Sequence, residues 1–191
     1  MDIQLNHISK RFGQNQVISD FDTVFQDGQI SCLMGPSGIG KTTVINMLMG
    51  LMKPDGGEIT GLKNRKIAAV FQEDRLIEHW NAVSNVKLVC DKTVTDEDVY
   101  REFVQVGLEK NPNKPVSEFS GGMRRRVAIV RAMLAESELV ILDEPFKGLD
   151  EELKSHVIEY IKERTKGKTV IIVTHDKEDA KLFGARLVTI G

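Results

Sequence analysis

Apolar residues change their spacing several times along the chain, and each change marks a predicted element. The runs "IQLNHI" (3–8) and "QISCLM" (29–34) read as short strands, with Gly28 breaking the chain before the second. From Lys41 to Gly50, "KTTVINMLMG" carries apolar residues at helical spacing and stops on glycine, which predicts a helix. A turn-rich piece, "KPDGGEIT" (53–60), precedes strand-like "IAAVF" (67–71). Residues 81–134 read as mostly helical, with "EDVYREFVQVGL" as the clearest amphipathic run and Gly107 and "NPNKP" (111–115) as breaks. The pattern then returns to apolar "LVILD" (139–143), helical "EELKSHVIEYIKER" (151–164), apolar "KTVIIVTH" (168–175), and a last helix and strand ending at Gly191. Strands without polar alternation, separated by helices, predict a parallel sheet buried on both faces, interrupted by a helical block. There is no internal repeat and no low-complexity segment.

At 191 residues the chain can build one domain with a substantial core. Its 26 basic and 28 acidic side chains give a net charge of -2, without the basic excess of a dedicated nucleic-acid binder. Cys32 and Cys90 stand far apart with no Cys-x-x-Cys or nearby His pattern, so neither a disulfide framework nor a zinc site is expected. The longest apolar runs, "LVIL" and "VIIV", are too short to span a bilayer. The start "MDIQLNHISK" lacks the apolar segment of a signal peptide, so a cytoplasmic location is expected.

Three stretches carry candidate chemistry. In "GPSGIGKTT" (35–43), Gly35, Gly40, Lys41 and Thr42 satisfy G-x-x-x-x-G-K-[ST] between an apolar strand and a helix. Glycines let backbone N–H groups converge on phosphate oxygens, a lysine there reaches the β- and γ-phosphates, and a hydroxyl there binds Mg²⁺. Asp143 and Glu144 end "LVILDE"; beside a phosphate loop they become a second Mg²⁺ anchor and a residue that orients or deprotonates water. "EFSGGMRRRVAIVRAML" (118–134) places Ser120, Gly121 and Gly122 at the start of a helix, where serine caps and the amides bind anions. No Lys-Thr pair follows, so this half-site could not hold ATP by itself.

The motifs "GPSGIGKTT", "FSGGM", "LVILDEP", "GLD" and "VTHD" resemble, in order and rough spacing, those of ATP-binding cassette (ABC) ATPases, over essentially the whole chain. The N-K-x-D guanine reader of another phosphate-loop class is absent. The resemblance implies an α/β phosphate-loop NTPase core with a mostly parallel sheet, an N-terminal antiparallel β subdomain and an inserted α-helical subdomain. As a single domain, 1–191, it would divide into a core of about 1–72 and 136–191 and a helical signature subdomain of about 73–135. Gly35, Pro36, Ser37, Gly38, Ile39, Gly40, Lys41, Thr42 and Thr43 would cradle the ATP phosphates. Phe12 would stack on adenine. Gln72 would join Thr42 and Asp143 on Mg²⁺ and report to a membrane partner. Glu144 would polarise the attacking water, and His175, alone among the four histidines in having such a context, would contact the γ-phosphate. Asp150 would lie at a subunit boundary. Ser120, Gly121 and Gly122 would cover the γ-phosphate held by the glycine loop of a second cassette.

Two departures from the family's Leu-Ser-Gly-Gly-Gln stand out, Phe119 and Met123. Met123, Val127, Val130 and Leu134 form one apolar helical stripe, which makes Met123 a packing residue. Arg124, Arg125, Arg126 and Arg131 lie mainly off it and read as a solvated basic face. Together, "QEDRLIEHWNAVSNV", "SGGMRRRVAIVRAML" and "DEPFKGLD" resemble the importer branch that handles nitrate, taurine, alkyl sulfonates and related small anions or organic nutrients. This resemblance implies integral membrane permease subunits, an extracytoplasmic solute-binding protein, a second ABC ATPase subunit, and attachment to the inner membrane face through the permease. The permease contact is expected around residues 73–90, with Leu76, Ile77 and Trp80 as its apolar surface. Only 16 residues follow His175, so no appended regulatory domain is expected. A separate-subunit exporter ATPase shares the core motifs, and a soluble cassette in DNA or translation processes is the remaining alternative.

Overall fold

The computed structural model describes residues 1–108 and 114–190. Asn111, Pro112 and Asn113 of the "NPNKP" break, and the expected end at Gly191, lie outside the described residues. In chain order come β1 (Ile3–Phe12), β2 (Asn15–Phe25), β3 (Ile30–Met34), α1 (Lys41–Leu48), β4 (Gly56–Thr60) and β5 (Ile67–Val70). Next are α2 (Ala82–Lys87), α3 (Asp96–Gln105), a 3₁₀ turn (Val116–Glu118), and α4 (Gly121–Leu134). The last are β6 (Leu139–Asp143), α5 (Glu151–Arg164), β7 (Thr169–Val173), α6 (Lys177–Phe183) and β8 (Arg186–Thr189).

Five strands form a parallel sheet in the order β5-β6-β7-β3-β8. Successive side chains of β6 face opposite sides. Leu139 and Ile141 pack with α1 and the N-terminal strands, while Val140 and Leu142 pack with the helical block and α5. Both faces are covered, which is why this strand has no polar position until Asp143.

The second sheet is antiparallel, β2-β1-β4. It buries Ile3, Leu5, Ile8, Ile18 and Phe25 against α1. Only one face is covered, so its apolar residues are sparse; β2 gives no sequence signal strong enough to be read as a strand. The "GGEIT" end of the turn-rich piece is strand β4, because β1 offers it a partner edge.

The helical block is less continuous than its composition predicts. α2 has six residues, and the described parts of the connections between α2, α3 and α4 are turns, the 3₁₀ turn and irregular backbone. Thr95 caps α3 in a reciprocal box with Asp98, and Val99 and Phe103 carry its buried side.

Candidate functional site

Strands β3, β5, β6 and β7 run parallel, and each delivers predicted site residues at its carboxyl end. Gly35–Gly40 follows β3, Gln72 follows β5, Asp143 and Glu144 close β6, and His175 follows β7. Open α/β sheets place ligands in the crevice beyond these ends.

The loop after β3 is tightly held. A Cβ on Gly35 would lie 2.5 Å from the Ile190 carbonyl oxygen, and Gly40 has φ 109° while packing against Val17 and Ile18 of β2. Only glycine serves either position without displacing backbone. Pro36, Ser37 and Gly38 are exposed, and Ile39 and Thr43 are half-buried. Lys41 folds back over the loop, its ammonium donating to the carbonyls of Gly35 at 2.7 Å and Pro36 at 2.9 Å. Phe12, 48% exposed, sits at the tip of the β1–β2 hairpin paired with Asn15, and that hairpin reaches the loop through Val17 and Ile18.

Asp143 is buried, and Thr42 is near enough to act on its carboxyl. Burial, then the adjacent Glu144 charge, pushes its carboxyl above the ordinary aspartate value, while Arg125, Lys41 and Thr42 oppose the rise. Glu144 has a left-handed backbone, φ 47°, and its N–H donates to the Val173 carbonyl at 2.9 Å. That turn sends its carboxylate to His175, whose Nδ1 lies 3.1 Å from both oxygens. Ser37, Gln72, Glu144, Leu149, His175 and Asp176 help to line one cleft of about 400 Å³.

Behind the cleft lies a network that sequence reasoning missed. Lys154 on α5 is buried, with its ammonium 2.6 Å from Asp179 and 3.0 Å from Asp176. The Thr174 hydroxyl donates to Asp179 at 2.8 Å and accepts from the Asp176 N–H at 3.1 Å. These contacts bracket His175 and pin its loop to α5. The only sequence signal is the i, i+3 pair of acids after "VTH", whose partner lies 22 positions before the first of them.

Asp176 is held below the ordinary value by the Glu178 N–H and then by Lys154. A lowered carboxyl contributes stability above the unfolded-state value near 4 and loses it as pH falls. Lys154→Met is therefore expected to cost about 3 kcal/mol at pH 7, because it removes the buried ammonium that partners both Asp176 and Asp179. Urea unfolding should show that deficit shrinking as pH is lowered through about 4.

The half-site opens α4. Ser120 caps α4, accepting from the Met123 N–H at 3.2 Å. Ser120, Gly121 and Gly122 are not among the residues that line the cleft with Glu144, although a Cβ on Gly122 would lie 3.4 Å from Leu149, which is. The two glycines differ. A Cβ on Gly122 would sit 2.8 Å from the Gly148 carbonyl oxygen, whereas one on Gly121 would meet nothing within 4 Å. Gly122→Ala should destabilise by about 1–3 kcal/mol, and Gly121→Ala should leave stability within about 1 kcal/mol; thermal unfolding of the two variants checks both. Asp150 is exposed and caps α5, accepting from the Leu153 N–H at 2.9 Å.

Two expectations need correction. The arginines of α4 are not a solvated face: Arg125 is 4% and Arg126 9% exposed. Arg126 donates to the carbonyls of Val106 at 3.0 Å and Gly107 at 2.6 Å. Arg125 and Arg131 donate to carbonyls of the segment after β5. α4 runs through the helical block with nearly every side occupied, so its polar positions must find backbone acceptors. Met123 and Leu134 are half-buried against the same core as Val127 and Val130, as the stripe predicts.

The expected apolar surface is also shifted. Leu76 and Ile77 are half-buried, because Asn85, fully buried, accepts from the Ile77 N–H and donates to the Ile77 carbonyl, drawing this loop onto α2. Trp80 is 37% exposed, and Leu88 and Val89, just beyond the end of α2, are exposed as well.

The strand-end loop, its lysine and hydroxyl, and the acids across from them define a phosphate-loop nucleotide-binding fold. Residues 18–147 match the ABC transporter family. The chain is 33% identical to the spermidine/putrescine import ATP-binding protein PotA of Mycoplasma capricolum subsp. capricolum, over 98% of this chain and 58% of that protein. It is 33% identical to the Fe(3+) ions import ATP-binding protein FbpC of Escherichia coli O157:H7, over 93% of this chain and 56% of that one. Its fold is similar to the dimeric structure of the bacterial ABC transporter cassette MJ0796, with a TM-score of 0.87, 26% identity, and coverage of 98% of this chain and 94% of that one. The chain belongs to the ABC transporter family. It spans little more than half the length of these curated relatives, 58% of PotA and 56% of FbpC. Among the described residues, no helix is long and apolar enough to cross a membrane.

Proposed function

We propose that this chain is the ATP-hydrolysing subunit of a membrane importer and works as a head-to-tail pair of cassettes. The observation that carries this reading is the convergence of the Lys41–Thr42 loop with Asp143, Glu144 and His175 beyond the ends of adjacent parallel strands.

In this reading Lys41 trades its two loop carbonyls for β- and γ-phosphate oxygens. The loop amides of residues 35–43 and the amino end of α1 supply further donors, and Phe12 stacks on adenine. The Thr42 hydroxyl and the Asp143 carboxylate are hard oxygen donors, a set that fits Mg²⁺, and Gln72 would join them. The charge on the phosphates would be offset by Mg²⁺ held there. Glu144 accepts a proton from water, the water oxygen attacks the γ-phosphorus, and the bond to the β–γ bridging oxygen breaks to leave ADP and phosphate. His175 orients Glu144 and holds the γ-phosphate.

The site is completed by a second copy. Ser120 and Gly121 are exposed at the start of a helix, and Gly121 faces open space, as a contact with another subunit's phosphate would need. Asp150 lies at the same boundary. The core of about 1–72 and 136–191 binds nucleotide, and the helical part of about 73–135 presents the signature and Trp80, Leu88 and Val89 to permease subunits on the inner membrane face. An extracytoplasmic solute-binding protein delivers cargo, and nucleic acid has no part. The importer names of the relatives favour import over export or a soluble role. Mg²⁺-dependent phosphate release and co-extraction with a polytopic membrane protein are the expected results; co-purification with ribosomes or DNA-bound proteins would contradict them.

A further inference from the structure

The segment that carries Gln72 is fastened to α4 rather than only to the strand it leaves. The ladder of β5 ends with Val70 opposite Leu142. Immediately beyond it, the buried Arg125 of α4 gives one guanidinium N–H to the Phe71 carbonyl and another to the Gln72 carbonyl. The same guanidinium lies 3.2 Å from the Asp74 carboxylate. Further along the helix, Arg131 donates to the carbonyls of Arg75 at 2.7 Å and Asp74 at 2.9 Å. Four carbonyls of residues 71–75 thus accept from two arginines of one helix. Arg75, at φ 47°, folds its own guanidinium over the Phe71 ring at 3.6 Å, which tightens the turn from within.

We propose that Arg125 is a positioning residue for Gln72, making the Gln72 backbone part of the rigid body formed by α4. The pivot between the sheet and the helical block then lies between Val70 and Phe71, before Gln72 rather than after it. α4 begins at Ser120, five residues ahead of Arg125. A displacement felt at Ser120 reaches Gln72 through one helix and one guanidinium. On the reading that Ser120 covers a partner's γ-phosphate, on which only this consequence rests, Arg125 connects the partner's ATP to the cleft of its own chain. The planar fork is what allows two adjacent carbonyls and a carboxylate to be served together. A lysine ammonium keeps the charge opposite Asp74 but not that geometry.

Hydrogen exchange in the full chain tests the strap without reference to activity. In Arg125→Gln and Arg125→Lys, amides of residues 71–79 should exchange about tenfold faster or more, while those of α4 keep their protection. In parallel, kcat for ATP should fall about 10- to 100-fold with the Kd for ATP within about threefold. Arg125→Lys carries the test if the glutamine variant does not fold. Unchanged exchange at 71–79 in Arg125→Lys would overturn the strap. So would a kcat within about twofold of the parent. If the parent chain does not hydrolyse ATP, the functional reading fails, and the exchange result still decides whether Arg125 fixes Gln72.

Discussion

Glu144→Gln is expected to lower ATP turnover by roughly 100- to 10,000-fold, the usual contribution of a positioned general base, while leaving ATP binding intact. The amide keeps the size of the side chain and can still hydrogen-bond His175, but it cannot take a proton from water. Lys41 and Thr42 stay where they are, because neither depends on Glu144 for its contacts. Binding without hydrolysis leaves ATP in place between two cassettes. Size-exclusion chromatography should therefore show the variant shifting to a dimer with ATP and Mg²⁺ and remaining there. A profile indifferent to ATP and Mg²⁺ would count heavily against the paired arrangement.

Ser120→Arg should remove turnover almost as completely while sparing nucleotide affinity of the single chain. Ser120 is exposed at the start of α4 and takes no part in the contacts that hold Lys41. The variant loses a helix cap, at a cost of about 1 kcal/mol, and blocks the face that would meet a partner. The ATP Kd of the monomer should stay within about threefold while phosphate release falls below about 1%. In a mixed dimer with one Ser120→Arg chain, the glycine loop disabled should be that of the other chain. Equal losses of monomer affinity and turnover would instead place Ser120 in its own chain's site.

Much of this was legible in the residues because several local rules agree at the same places. The loop from Gly35 to Thr43 needs glycines for backbone reasons that the structure makes specific, at Gly35 against Ile190 and at Gly40 against Val17 and Ile18. β6 and β7 were readable because burial on both faces removes polar alternation. β2 and β4 were not, because a sheet covered on one face spends few apolar residues and its pairing is decided by a neighbour far away in sequence. The run Arg124–Arg126 misled for a related reason. Nothing in "MRRRV" reveals that carbonyls of Phe71 and Gln72, more than fifty residues earlier, take up the donors of Arg125. Lys154 was missed on the same ground, since its partners Asp176 and Asp179 are brought to it only by the packing of α6 beside α5. The contrast between Gly121 and Gly122 was likewise invisible until Gly148 could be placed beside one and open space beside the other.

The central claim, that one chain's glycine loop is completed by another chain's Ser120–Gly122, can be tested by labelling across the pair. An isotopically heavy chain carrying Lys41→Ala, which should not hold ATP, is mixed with a light Glu144→Gln chain that binds ATP without hydrolysing it. A photoreactive ATP analogue bearing its reactive group on the γ-phosphate is added with Mg²⁺ and irradiated, and the labelled peptides are identified by mass. The account predicts label on the 118–134 stretch of the heavy chain, donated by the nucleotide of the light one. Label on that stretch in light chains alone, with the heavy chains in the same dimers unmarked, would contradict it.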